Sequence, residues 1–228
     1  MTHEETTRDA SQQGAPLHDA PLHDALDPRL PAPHPLPVVH HREEHDLGPY
    51  RAEQLDLEFS NGERRRYERL KTRGRGAVII CALRDDATAL LVREYSCGVH
   101  RYELGLPKGK IDAGETPLDA ALRELKEEAG FGARKLTLLR SLTLAPTYMD
   151  HATHLVVAED LYPERLPGDE PEPLDVIAWP LAELHALMLR EDVSEGRSLA
   201  GLFVVREWLA QGRPDPSPAA LAAAGRPA

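Results

Sequence analysis

Leu55, Leu57 and Phe59 alternate with polar residues, which is the period of a half-buried strand. Ser60-Asn61-Gly62 interrupts the alternation, and Arg64 to Leu70 resumes it. Asn-Gly between two such runs predicts an antiparallel hairpin, because a type I′ turn needs two residues at positive φ. A second strand pair is predicted at Ala77–Leu83 and Ala89–Tyr95, across the polar turn Asp85-Asp86. Further strands are expected at Leu136–Leu144, His154–Glu159 and Leu174–Trp179. Helices are expected at Pro117–Ala129, Pro180–Leu189 and roughly Ser198–Leu209. Many strands and few helices predict a mixed α/β (α+β) fold. Its expected form is an α+β fold or a three-layer α/β/α sandwich around a mixed central sheet, with an N-terminal antiparallel hairpin.

One helix is specified well by its own residues. Thr116 suits the N-cap, Pro117 the first helical position, and Asp119 completes a capping-box arrangement. Gly130 is placed to end the helix in a left-handed cap. Leu118, Ala121, Leu122, Leu125 and Ala129 make one apolar stripe for a core.

The chain has 228 residues, enough for one domain of ~100–200 residues with extra segments. Residues 1–49 lack strand or helix periodicity. They hold the repeat Ala-Pro-Leu-His-Asp at 15–19 and 20–24, five prolines between Pro28 and Pro37, and seven of the eleven histidines. A histidine-rich metal tract is one reading of this segment. The composition favours a disordered, dispensable tail instead, because it has little to offset the entropy of ordering. The domain is therefore expected at 50–211, followed by a flexible tail at 212–228.

The formal net charge of −11 disfavours a nucleic-acid partner, whose affinity would come from lysine and arginine on phosphates. Two cysteines, Cys81 and Cys97, exclude a disulfide scaffold or a zinc ribbon. The longest apolar run, Ala77–Leu83, is far short of the ~20 residues that cross a bilayer, and the N-terminus has no apolar signal core. The expectation is a soluble cytoplasmic protein without membrane partners.

The polar side of the 117–129 helix carries the candidate chemistry. Glu124 precedes Glu127 and Glu128 by three and four residues, so the three carboxylates can share one patch. Like charges so placed repel unless a divalent cation joins them, and Mg²⁺ suits oxygen ligands that leave room for water and phosphate. The alternative is a solvated acidic face. The longer spacing decides between them: G-x5-E-x7-R-E-U-x-E-E-x-G-U, with U apolar, is met by Gly109, Glu115, Arg123, Glu124, Leu125, Glu127, Glu128, Gly130 and Phe131. Seven fixed identities at ~7% each arise by chance on the order of 10⁻⁸ times per start.

This pattern is the Nudix box, and the chain resembles the Nudix hydrolases. The resemblance implies metal-dependent cleavage of a nucleoside diphosphate linked to another moiety. It makes Glu124 and Glu128 the principal metal ligands and Glu127 a further ligand or general base. The Lys108 carbonyl would add a metal contact, and Arg123 would orient Glu115 or Glu127. Outside the box, LDLEFSNGERRRYERL, LLVREY, RYELG and DLYPERLPGDEPEP resemble the ADP-compound hydrolases of the NudE type. That branch implies ADP-ribose, diadenosine oligophosphates or NADH as small-molecule substrates, AMP as product, Mg²⁺ (Mn²⁺ sharing its ligands) and a homodimer.

Pro146 and Tyr148, 15 and 17 positions after Phe131, resemble substrate-contacting residues of ADP-ribose and diadenosine polyphosphate hydrolases. Where many relatives read Arg-Gln-Tyr-Arg, this chain reads Arg93-Glu94-Tyr95-Ser96, which leaves Arg93 as the candidate phosphate clamp. Lys108 stands where alanine is common and is a second candidate phosphate contact. The acidic loop Gly168-Asp169-Glu170-Pro171-Glu172-Pro173 offers Glu170, then Glu172, as the catalytic base. Two other readings compete: a non-catalytic Nudix-fold regulator that binds ADP-ribose, and a Nudix pyrophosphatase for coenzyme A or nucleoside triphosphates. Retention of Glu124, Glu127 and Glu128 argues against the first. The similarity outside the box argues against the second.

Overall fold

A computed structural model describes residues 34–48 and 50–216. The repeat at 15–24, the first part of the proline run and the end of the C-terminal tail lie outside the described residues. In chain order come β1 (Val38–Leu47), β2 (Tyr50–Glu58), β3 (Arg64–Thr72), β4 (Ala77–Asp85), β5 (Thr88–Ser96), β6 (Arg101–Gly105) and β7 (Lys108–Lys110). Helix α1 (Pro117–Glu124) runs on into a π-helical turn, Leu125–Ala129. Then follow β8 (Phe131–Thr143), β9 (Met149–Asp150), β10 (Ala152–Pro163) and β11 (Asp175–Pro180). A 3₁₀ turn at Leu181–Glu183 leads to α2 (Leu184–Met188), and α3 (Gly196–Ala210) closes the fold.

The larger sheet has seven strands in the order β11-β5-β4-β10-β8, with β6 on β5 and β7 on β4. It is mixed, since β4 and β10 run parallel while their other pairings are antiparallel. Strand β4 lies at its centre and is buried on both faces, which is why Ala77–Leu83 reads as an unbroken apolar run. Its side chains serve two cores by alternation. Ile79, Cys81 and Leu83 pack with α2 and α3 through Leu184, Leu187, Leu202 and Val205. Val78, Ile80 and Ala82 pack with Ala120, Ala121, Leu125 and Ala129 of the box helix. Each fully buried leucine or isoleucine contributes roughly 1.5–3 kcal/mol. The result is the expected α/β/α sandwich. No helix among the described residues is long and apolar enough to cross a membrane.

The smaller sheet, β1-β2-β3-β9, departs from expectation in two ways. First, β1 falls inside the stretch 1–49 expected to be tail, so strand structure is present about a dozen residues before the boundary at 50. All ten of its residues are exposed, so no alternation marks it. Second, the hairpin does not turn through two positive φ values. Only Gly62 has positive φ, and the Asn61 side chain accepts the Glu63 N–H at 3.1 Å instead.

This sheet hides one charge. Glu53 on β2 is fully buried and meets the guanidinium groups of Arg69 and, at 3.1 Å, Arg42 of β1. Replacing Glu53 with Ala leaves two arginines without their shared counter-charge. Both keep some contact with water, so the expected loss is about 2–4 kcal/mol in unfolding free energy. Urea titration of the two proteins checks it, and equal midpoints would count against the role.

Candidate active site

The helix start forms as its residues dictate. Thr116 Oγ1 accepts the Asp119 N–H at 3.2 Å, Asp119 accepts the Thr116 N–H at 3.0 Å, and Pro117 opens the first turn. Gly130 ends the helix at φ +75°. Ahead of the helix, the Leu106 N–H bonds Ser198 Oγ on α3 at 3.0 Å, which ties the β6–β7 connection to the core. Gly109 on β7 then passes so close to the helix that an added Cβ would occupy the Glu124 carboxylate.

Arg123 organises the acids. Its Nε and Nη2 hold both Glu115 oxygens at 2.8 and 3.0 Å, and Nη1 bonds Glu124 Oε1 at 2.8 Å and Glu127 Oε2 at 2.9 Å. Nη2 also reaches the Lys110 carbonyl at 2.9 Å. Sequence reasoning expected Arg123 to orient Glu115 or Glu127; it holds both and Glu124 as well. The Arg123 hydrogen bonds hold the Glu115 carboxyl below its ordinary range.

Glu124 and Glu128 behave differently because they are buried, only 8% and 2% exposed. Desolvation raises the pKa of Glu124, and nearby Glu127 and Glu170 add to the effect. Desolvation pushes Glu128 up to about 8, although Lys108 opposes it. The Lys108 N–H donates to Glu128 Oε2 at 3.1 Å, while the Lys108 ammonium is engaged by Glu94.

Among the described residues, no three acidic, histidine or cysteine side chains stand close enough together to hold an ion. Arg123 bonds both Glu124 and Glu127. Yet Glu124 Oε2, Glu127 Oε1 and Glu128 Oε1 accept no protein hydrogen bond among those residues. The donor set is three carboxylates, two of them buried and disfavoured as anions. Hard oxygen donors that each keep one oxygen without a hydrogen bond among the described residues fit a small divalent cation.

Beside the helix lies a cleft of 390 Å³, lined by Glu127, Arg165, Glu170, Glu172 and the prolines of the acidic loop. Two backbone N–H groups tie that loop to the helix end: Glu164 to Gly130 O at 3.1 Å and Leu166 to Lys126 O at 3.2 Å. Glu170 folds back over Gly168, close to Glu127, whereas Glu172 accepts the Tyr102 hydroxyl. Of the two candidate bases, Glu170 is the one brought to the box. Among the described residues, Arg93 meets only Asp192, at 3.7 Å, and its buried Nε has no partner. Pro146 and Tyr148 lie between β8 and β9. Tyr148 is exposed, its carbonyl holds the Leu70 N–H at 2.7 Å, and no side-chain hydrogen bond among the described residues links it to the box. Sequence reasoning missed Glu94, Tyr102 and Arg165, because nothing in local spacing pairs these residues with the helix.

The description "NUDIX domain" matches residues 72–200, and "NudE-type Nudix hydrolase N-terminal domain" matches 37–69, which takes in β1. The ADP compounds hydrolase NudE of Escherichia coli is 53% identical over 165 residues, covering 72% of this chain and 88% of that protein. An ADP-ribose pyrophosphatase of Bacillus subtilis is 31% identical, over 63% of this chain and 77% of that one. A crystal structure of an ADP compounds hydrolase superimposes with a TM-score of 0.71 at 48% identity, covering 81% of this chain and all of that one. Box, sandwich fold and relatives agree, and the chain belongs to the Nudix hydrolases, with a NudE-type N-terminal domain preceding its NUDIX domain.

Proposed function

We propose that the protein hydrolyses the diphosphate linkage of ADP compounds (ADP-ribose, NADH, diadenosine oligophosphates), releasing AMP with Mg²⁺ or Mn²⁺ as cofactor. The observation that carries this reading is the trio of box carboxylates, each with one oxygen that accepts no hydrogen bond among the described residues, and of which Glu127 lines a cleft. The name of the E. coli relative supports the substrate class. Glu124, Glu128 and Glu127 would hold the ion, with the Lys108 carbonyl as a further contact. When bound, the ion neutralises diphosphate charge and acts as a Lewis acid at phosphorus.

The chain's own residues do the rest. Arg123 fixes Glu115, Glu124 and Glu127 in one array, which limits the reorganisation needed to gather them around an ion and substrate. Glu170 accepts the proton of the attacking water, a role supported by its place next to Glu127 in the cleft. Arg93, with an unpartnered Nε, is the phosphate clamp. Tyr148 and Pro146 contact the nucleoside on the strength of the resemblance alone. Homodimerisation and a cytoplasmic location complete the reading; β1, an edge strand among the described residues, offers a surface for a second copy.

A substrate panel in Mg²⁺, scored for AMP, tests it. AMP is expected from ADP-ribose, NADH or diadenosine triphosphate and not from coenzyme A. Silence on all three adenine compounds would overturn the reading. Glu170→Gln is expected to lower kcat about 10²–10⁴-fold, the usual worth of a general base. Unchanged turnover would remove Glu170 from that role.

A further inference from the structure

Among the described residues, Arg165 is the single cationic one lining a cleft whose other charged residues are Glu127, Glu170 and Glu172. Despite those neighbours, no carboxylate lies within ion-pair distance of it among the described residues, whereas Lys126, Arg134 and Lys135 nearby in the chain are all paired. Its one hydrogen bond is long, from Nη1 to the Glu127 carbonyl at 3.3 Å. The guanidinium is exposed and lies against the helix end. It packs on Gly130, where an added Cβ would lie 2.7–3.0 Å from Nη2, Nε and Cζ, and the Glu164 and Leu166 N–H groups fasten the backbone on either side. Gly130 thus serves twice, once for its positive φ and once for the room it leaves Arg165.

An exposed guanidinium set against the helix end by its backbone, with most of its donors unspent, is available to an anion. The cleft carries more negative than positive charge, so a diphosphate entering it needs protein cations as well as any metal. We infer that Arg165 contacts a phosphate group of the substrate and thereby sets affinity for phosphate-bearing compounds. It is a second arginine, on the acidic-loop side of the box, beside the Arg93 candidate on β5. This rests on the proposed diphosphatase activity.

The test uses the full chain, with Arg165→Ala and Arg165→Lys beside the unaltered protein. Steady-state kinetics on ADP-ribose in Mg²⁺ and calorimetric binding of α,β-methylene ADP-ribose are the readouts. For Arg165→Ala, KM and the dissociation constant are expected to rise about 10- to 100-fold, the range of one to two charge-assisted hydrogen bonds. The kcat should stay within about threefold, and Arg165→Lys should recover part of the affinity. A KM and dissociation constant within twofold of the unaltered protein would overturn the inference. A fall in kcat as large as the rise in KM would also overturn it, since that pattern means Arg165 only braces Glu127. If the unaltered chain neither binds the analogue nor turns over ADP-ribose, the diphosphatase reading fails first and takes this contact with it.

Discussion

Glu128→Gln is expected to lower turnover at least ~10³-fold and, in the same molecule, to make the metal-free protein more stable at pH 8. The first effect follows from its place in the donor set. Loss of about 4 kcal/mol of charge stabilisation at phosphorus corresponds to that factor. The second follows from burial. The Glu128 carboxyl is pushed up to about 8 in the fold, against an ordinary value of 4.5 in an unfolded chain. Between those values the unfolded state has released its proton while the folded state retains it. Stability is therefore full below about pH 4.5, falls as pH rises through the window, and levels off above about pH 8. Glutamine has no proton to lose, so the variant escapes this decline. At pH 8 it should exceed the unaltered protein by a few kcal/mol, on the order of what such a shift implies after relaxation. Urea unfolding in EDTA at pH 5 and pH 8 reads the difference between the two proteins. A gap that does not widen with pH would show that Glu128 bears no such burden.

Gly109→Ala should be nearly as damaging, although it touches no charged group. The new Cβ would fall where the Glu124 carboxylate now lies, so either β7 shifts off β4 or Glu124 leaves Arg123. Overpacking of this kind costs about 1–3 kcal/mol of stability. Displacement of a principal ligand should reduce kcat by about 10²-fold or more, given how steeply rate depends on placement. Gly114→Ala is the control. Gly114 has φ +92° and open space around it, so its substitution strains one loop residue without reaching any carboxylate. If both variants lose activity equally, the close approach of Gly109 and Glu124 is not what the site needs.

The sequence was most readable where one residue type has one physical use. Thr116, Pro117, Asp119 and Gly130 each satisfy a known need of a helix end, and the helix lies between them. Ala77–Leu83 is apolar throughout because both faces of β4 are covered. Strand β1 was hidden for the opposite reason: with both faces in water it has no hydrophobic period, and its arginine partner for Glu53 is visible only across the sheet. The Asn61 turn was misread because asparagine can satisfy a turn through its side chain as well as through positive φ. At the site, the box residues were legible as a spaced pattern. Arg165, Tyr102 and Glu94 were not, since they meet Glu127, Glu172 and Lys108 only through tertiary folding.

The last turn of the box helix closes as a π-helix, with the Gly130 N–H reaching back to Leu125 O across five residues rather than four. Glu124 and Glu128 stand on either side of the point where that surplus residue is absorbed. Removing or adding one position there would rotate one acid out of phase with the other, whatever the replacement's chemistry. The site is in effect a counted ruler, in which the number of residues between the two acids matters as well as their identity.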